Sequence, residues 1–397
     1  MIRELGINKL YSIYRIMDEM ELMDTVSEVA RMPLGPSTSY VKYTSKYSMY
    51  KILESDSLFL FCSELSNDTL ENKLLQSKSF DTYITCFHSG NVNGRNQTIN
   101  LNDTYSQWMS YCHDGGASFE FYFFQDQVGQ IFKDNSDKGE SITSRIKQGK
   151  DKFEYSLLCG NEPTTSDYYD YLTFPYRVHY YNSVNASVGQ TSTVELSYLN
   201  IINKLADKYS LDINDLSPFF KHSGFVQERE SRLAIVNRNN ELAKCIKFIE
   251  KPDGSRVPYI IAKFGSNDNW LSPCIKLDKN QNNIFGSKSS IQKYIDSIDP
   301  RFRNKNFPIV IPQGRDQEEI YNIVEGIVNE KEKESTFKYK IICQGHLPIT
   351  TITLAPTTDR KEQKKMMEIF CQSKYWLRHV DICESCIPYN MNNVNHS

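Results

Sequence analysis

Phe119-Glu120-Phe121-Tyr122-Phe123-Phe124 carries five rings and one acid in six residues, and Phe119/Glu120/Phe121 has the two-residue period of a strand. Aromatic side chains pack well on a pleated surface and lose freedom against the turns of a helix. Gly115-Gly116 interrupts whatever comes before, so a strand is expected over 117–124.

Similar short runs lie on either side. Strands are expected over 40–44, 57–63, 80–89, 176–181 and 232–236, then at 338–343, 349–354 and about 379–383. Helical spacing of apolar residues predicts helices over 5–32, 45–54, about 191–209, 316–333 and 359–373, with a helical turn at Trp108–Cys112. The Asn- and Gly-rich segment 90–104 reads as loop, 133–170 as polar and undecided, and 237–310 as more polar than its surroundings. Strands and helices do not alternate regularly, which argues against a doubly wound sheet and for the α+β class. The expected organisation has four parts. They are an N-terminal helical extension over 1–37, a core α+β domain over 38–236, an insertion or elaboration over 237–340, and C-terminal strands and helix completing the core over 341–397. The first helix would suit an oligomer contact or a regulatory partner.

A net charge of -3 gives no bulk attraction to polyanions. Between Leu271 and Lys305, however, seven basic residues face three acids, a local surplus that suits a nucleic-acid-facing surface or simply a solvated face. The apolar run Leu58–Cys62 is far too short to span a bilayer, and Met1-Ile2-Arg3-Glu4 does not open a signal peptide, so a cytoplasmic protein with no membrane association is expected. Of ten cysteines only Cys383 and Cys386 form a CxxC pair. No second pair stands at zinc spacing, so thiols in a reducing compartment are expected and no metal. Phosphate loops of the GxxxxGK[ST] and GxGxxG kinds, HExxH and GxSxG are all absent.

Several segments occur in an order that resembles a bacterial family catalogued as domain of unknown function 2971. They are Tyr40-Val41-Lys42-Tyr43-Thr44, then Ile52–Leu60, then Ser66-Asn67-Asp68-Thr69-Leu70-Glu71. Ile84–Ser89, Gln107–Tyr111 and Gly116–Phe121 follow, then Phe225-Val226-Gln227-Glu228-Arg229-Glu230-Ser231-Arg232-Leu233 and Ile349–Pro356. Thr69 stands where that family has Pro, His88 intrudes before Ser89, and Ala355 replaces Gly. The same layout is similar to the ADP-ribosyltransferase fold, a split antiparallel sheet that clamps NAD. That resemblance implies an enzyme that cleaves NAD as its substrate and passes ADP-ribose to a nucleic acid or protein, in the manner of a toxin or antiphage effector.

On this analogy Glu230 is the candidate catalytic carboxylate. It would stabilise the oxocarbenium-like ribose as nicotinamide leaves, with Glu228 activating an acceptor. In an extended chain Glu228, Glu230 and Arg232 share a face, so repulsion between the two acids is expected to raise one pKa. Arg232 would then pair with an acid or with a pyrophosphate. Lys42, Tyr43, Thr44 and Ser89 would line the ribose site, and Trp108 and Tyr111, three apart on a helix, would stack on a flat ring. The same residues also suit an exposed salt-bridge ladder, an edge-strand lysine and core aromatics. Two other classes fit: a non-catalytic nucleic-acid- or protein-binding module on residues 271–305, or a metal-dependent hydrolase or nuclease using Asp68, Glu71, Glu228 and Glu230.

Overall fold

The computed structural model describes residues 39–63, 82–89, 92–93, 98–99, 103–112, 115–122, 128–132, 168–172, 175–181, 203–204, 207, 217–222, 225, 228–236, 242–250, 254–264, 288–297, 307–311, 316–334, 339–357 and 359–387. The predicted helix over 5–32 and nearly all of the one at 191–209 lie outside them.

In chain order the strands are β1 Ser39–Thr44, β2 Leu58–Cys62, β3 Thr82–Ser89, β4 Val92–Asn93, β5 Thr98–Ile99, β6 Ala117–Tyr122, β7 Val128–Phe132, β8 Tyr168–Leu172 and β9 Tyr176–Arg177. They continue with β10 His179–Tyr181, β11 Phe220–His222, β12 Glu230–Val236, β13 Lys247–Glu250, β14 Arg256–Phe264, β15 Phe307–Ile311, β16 Tyr339–Cys343, β17 Ile349–Leu354 and β18 Asp381–Glu384. The α-helices among the described residues are α1 Lys46–Ser55, α2 Tyr105–Tyr111, α3 Lys288–Ser297, α4 Gln317–Glu334 and α5 Arg360–Gln372. The protein is mixed α+β, the class expected from the irregular order of its strands and helices, and its sheet is mostly antiparallel.

The chain forms two discontinuous compact units, one of Met1–Pro36, Ser57–Val92 and Val128–Ala262, the other of Ser37–Asp56, Asn93–Gln127 and Lys263–Ser397. In the first, β12 pairs antiparallel with β3 from Glu230↔His88 to Val236↔Thr82, and with β9 at Ser231↔Arg177 and Arg232↔Tyr176. β2 pairs with β3 and with β14, and β14 also carries β13. β14 corrects the reading of 237–310 as merely polar. Its Tyr259-Ile260-Ile261-Ala262 run is buried and matches Phe61 to Leu58 of β2. That run was visible in the sequence but was diluted by the polar residues around it.

In the second unit β1, β6 and β17 pair antiparallel and β18 adds in parallel to β17. Ser45 caps α1 with its hydroxyl on the Ser48 N–H, and Asp56 ends the helix in the left-handed conformation at φ 51. Met49, Ile52 and Leu53 form its buried stripe. β15 and β16 are parallel, and α4 lies between them in the chain, as a parallel pair requires a crossover. α4 carries Glu318 and Glu319 in its first turn and Lys331 and Lys333 in its last, matching the helix dipole. Its Tyr321, Val324, Ile327 and Val328 pack with Ile309, Ile311, Ile341 and Cys343 and with Ile291 and Ile295 of α3. Among the described residues no helix is long and apolar enough to cross a membrane.

Candidate functional site

Glu230 opens β12 opposite His88 and is 3% exposed. Its Oε2 accepts from Arg232 Nη2 at 2.7 Å and from Lys221 Nζ at 3.2 Å. Lys221 Nζ also donates to Glu228 Oε2 at 2.8 Å, so one ammonium holds both carboxylates. Arg232, 1% exposed, spends Nη1 on the Pro218 carbonyl at 2.7 Å. His88 Nδ1 meets the Glu228 carbonyl oxygen.

Burial by itself pushes the Glu230 carboxyl up. The Arg232 guanidinium, then Lys221 and the Cys86 thiol, outweigh that and bring it down to about 2. The clamp of two cations, absent from the expectation of repulsion between the acids, sets this direction at Glu230. It also replaces the reason for their convergence. The backbone at Arg229 is left-handed, φ 45, so 228–230 is not extended and strand alternation does not align the acids; Lys221 gathers them. With both terminal nitrogens engaged inside the protein, Arg232 orients Glu230 and is not the pyrophosphate contact expected as an alternative.

The residues expected to line the NAD site divide differently. Tyr43 and Trp108 meet edge to face at 4.8 Å, in a core cluster with Val41, Cys112 and Ala355. Trp108 is fully buried and donates Nε1–H to Asp103 Oδ1 at 2.7 Å. The Tyr43 hydroxyl accepts the Thr104 N–H at 2.9 Å, and burial drives its pKa upward. Neither ring has a face to offer a ligand, which corrects the stacking role given to Trp108. Tyr111 is exposed, so the two do not form one platform. Lys42 is half-buried and paired in register with Phe119; Thr44 is buried, and its carbonyl accepts from the Cys112 thiol. These residues belong to the second unit. Ser89 ends β3 in the first, its side chain outside the described set. Among the proposed site residues the structure therefore groups Glu228, Glu230 and Arg232, and separately Tyr43 and Trp108.

Lys221, Cys86 and Arg229 escaped the sequence reading. Lys221 lies in the charge-dense stretch Phe219–Val236, so a signal existed, but nothing in the sequence distinguished it from its charged neighbours. A second polar assembly had no local signal at all: Asp56, His346, Tyr375 and Gln317 form a hydrogen-bonded chain in the second unit. His346 stacks on Trp376 with ring centroids 4.2 Å apart and 12° between the planes.

Asp68 and Glu71, required by the metal-hydrolase reading, lie outside the described residues. Among the described residues no three His, Cys, Asp or Glu side chains gather around a point that would hold a metal ion. Cys383 and Cys386 are exposed thiols. Of the basic stretch 271–305 only α3 is described, and it buries Ile291 and Ile295 while Lys293 is exposed. Compared with known proteins, the chain matches no family model, no curated protein and no solved structure.

Proposed function

We propose that this chain is an NAD-consuming transferase of the ADP-ribosyltransferase type, cleaving the nicotinamide–ribose bond and passing ADP-ribose to a nucleic acid or protein. The observation that carries the reading is the pair Glu228 and Glu230 on Lys221, with Glu230 buried and held ionised at the start of β12. An ionised carboxylate in a low-dielectric setting stabilises a developing ribosyl cation strongly, and it needs no proton transfer to do so. Glu230 would accept from the ribose 2′-hydroxyl as positive charge builds at C1′. Glu228, its side chain 25% exposed, would take the proton of the incoming acceptor. Lys221 and Arg232 hold the two carboxylates in place. The layout's resemblance to the ADP-ribosyltransferase fold is a second, fold-level support for this reading.

The test is nicotinamide release from NAD by purified wild type and by Glu230→Gln, with cell extract or nucleic acid supplied as acceptor. Wild type is expected to release nicotinamide. Glu230→Gln, folded by circular dichroism, is expected to lose at least about a hundredfold in rate, the size usual for one electrostatic stabiliser. Equal release from both removes Glu230 from the chemistry. Absence of release and of NAD binding across all acceptors overturns the transferase reading and leaves the cluster as a structural clamp.

A further inference from the structure

Lys221, Arg229 and Arg232 bring three positive charges to the segment that carries the two negative charges of Glu228 and Glu230. Lys221 and Arg232 account for both carboxylates. Arg229 is the third cation of the segment. Its side chain is half-buried, and its Nη1 is shielded from water with no hydrogen-bond acceptor in reach among the described residues. A guanidinium nitrogen in that state forfeits its hydration without replacement, an expense proteins rarely leave uncompensated. Arg229 also holds a left-handed backbone, φ 45, which a non-glycine residue seldom adopts unless its surroundings impose it. A segment surplus of one positive charge, an unmet donor and a left-handed backbone thus meet at one residue, next in sequence to two carboxylates that are already paired.

We propose that Arg229 is an anion-binding residue that receives a phosphoryl oxyanion of the ligand. The planar guanidinium matches two non-bridging oxygens of one phosphoryl group, and a singly charged oxyanion offsets the surplus. The inference holds whether or not NAD is the substrate, since any phosphate-bearing ligand would satisfy it. A carboxylate offers similar geometry, so the test separates the two.

Isothermal titration of the full chain with inorganic pyrophosphate, and in parallel with succinate, is the direct experiment. Arg229→Gly is the preferred variant, because glycine accepts the left-handed conformation and the fold should persist; Arg229→Gln provides a second. Wild type is expected to bind pyrophosphate saturably at one site and better than succinate, and both variants are expected to weaken that binding about tenfold or more. Unchanged pyrophosphate binding in the folded variants, no saturable binding by wild type, or a preference for succinate would each overturn the proposal.

Discussion

Asp56 Oδ2 lies 2.7 Å from Nδ1 of His346, joining residues 290 positions apart. The other carboxylate oxygen accepts the Leu347 N–H at 2.9 Å, so the residue that ends α1 also anchors the turn between β16 and β17. Beyond the imidazole the bonds have a forced direction. Gln317 donates Nε2 to the carbonyls of Gln344, at 2.9 Å, and Ile311, at 3.3 Å, so its Oε1 faces Tyr375 and can only accept. The Tyr375 hydroxyl must donate to it, at 2.9 Å, which leaves the phenol oxygen to accept from His346 Nε2 at 3.0 Å. The imidazole thus bridges the Asp56 carboxyl group on one side and the Tyr375 phenol oxygen on the other. Around it stand Asp56, Tyr375 and Cys343, with Glu318 acting on Tyr375 and Lys374 over Trp376. Tyr375→Phe is expected to remove the partner of His346 Nε2 and to cost about 1 kcal/mol in urea denaturation. Asp56→Ala, measured by urea denaturation, should cost about 1–3 kcal/mol through its stranded donors, and Asp56→Asn less, since it keeps an acceptor and tolerates the left-handed backbone.

The Glu230 clamp predicts a particular acid response. Its folded pKa is depressed, from 4.5 to about 2, so the stability it contributes is fully present above pH 4.5 and is lost as pH falls toward 2. Chemical denaturation across that window should show a steeper acid loss in wild type than in Glu230→Gln. Arg232→Met leaves the Glu230 carboxylate buried without its guanidinium partner. It should cost roughly 3–5 kcal/mol at neutral pH, the range for breaking a buried pair from one side. An acid profile identical in wild type and Glu230→Gln would refute the clamp.

Gly115 and Gly116 differ in what they require. Gly115 takes φ 84, where a side chain is strained. Gly116 is constrained by space: a Cβ there would lie 1.8 Å from the Thr44 carbonyl oxygen, and its own carbonyl accepts the Ala355 N–H at 3.0 Å. Gly116→Ala must therefore move backbone, and a loss of about 3 kcal/mol or more is expected in thermal or urea unfolding. Retention of wild-type stability would mean that β1 and β6 part there without cost.

Glu228, Glu230 and Arg232 were legible as a group because they stand within five residues, and local spacing is what a sequence displays directly. The environment that sets their chemistry was not legible. Lys221 and the Cys86 thiol reach Glu230 from other strands, and with Arg232 they outweigh the effect of burial and bring its pKa down. Trp108 shows the opposite failure. Its helical spacing from Tyr111 suggested a shared surface, but packing against Tyr43 put it in the core while Tyr111 stayed exposed.

The alternation in Phe119–Tyr122, the apolar stripes of α1 and α4 and the Gly115-Gly116 break determined individual elements, and the irregular order of such signals determined the α+β class, since side-chain periodicity and backbone freedom are properties of neighbouring residues. Only the tertiary structure decided that β14 pairs with β2, that Lys221 holds two acids, that Arg229 Nη1 meets no acceptor among the described residues and that Asp56 meets His346. Those facts depend on burial and on contacts between segments far apart in the chain, and a group's charge and hydrogen bonding are set by what surrounds it in space.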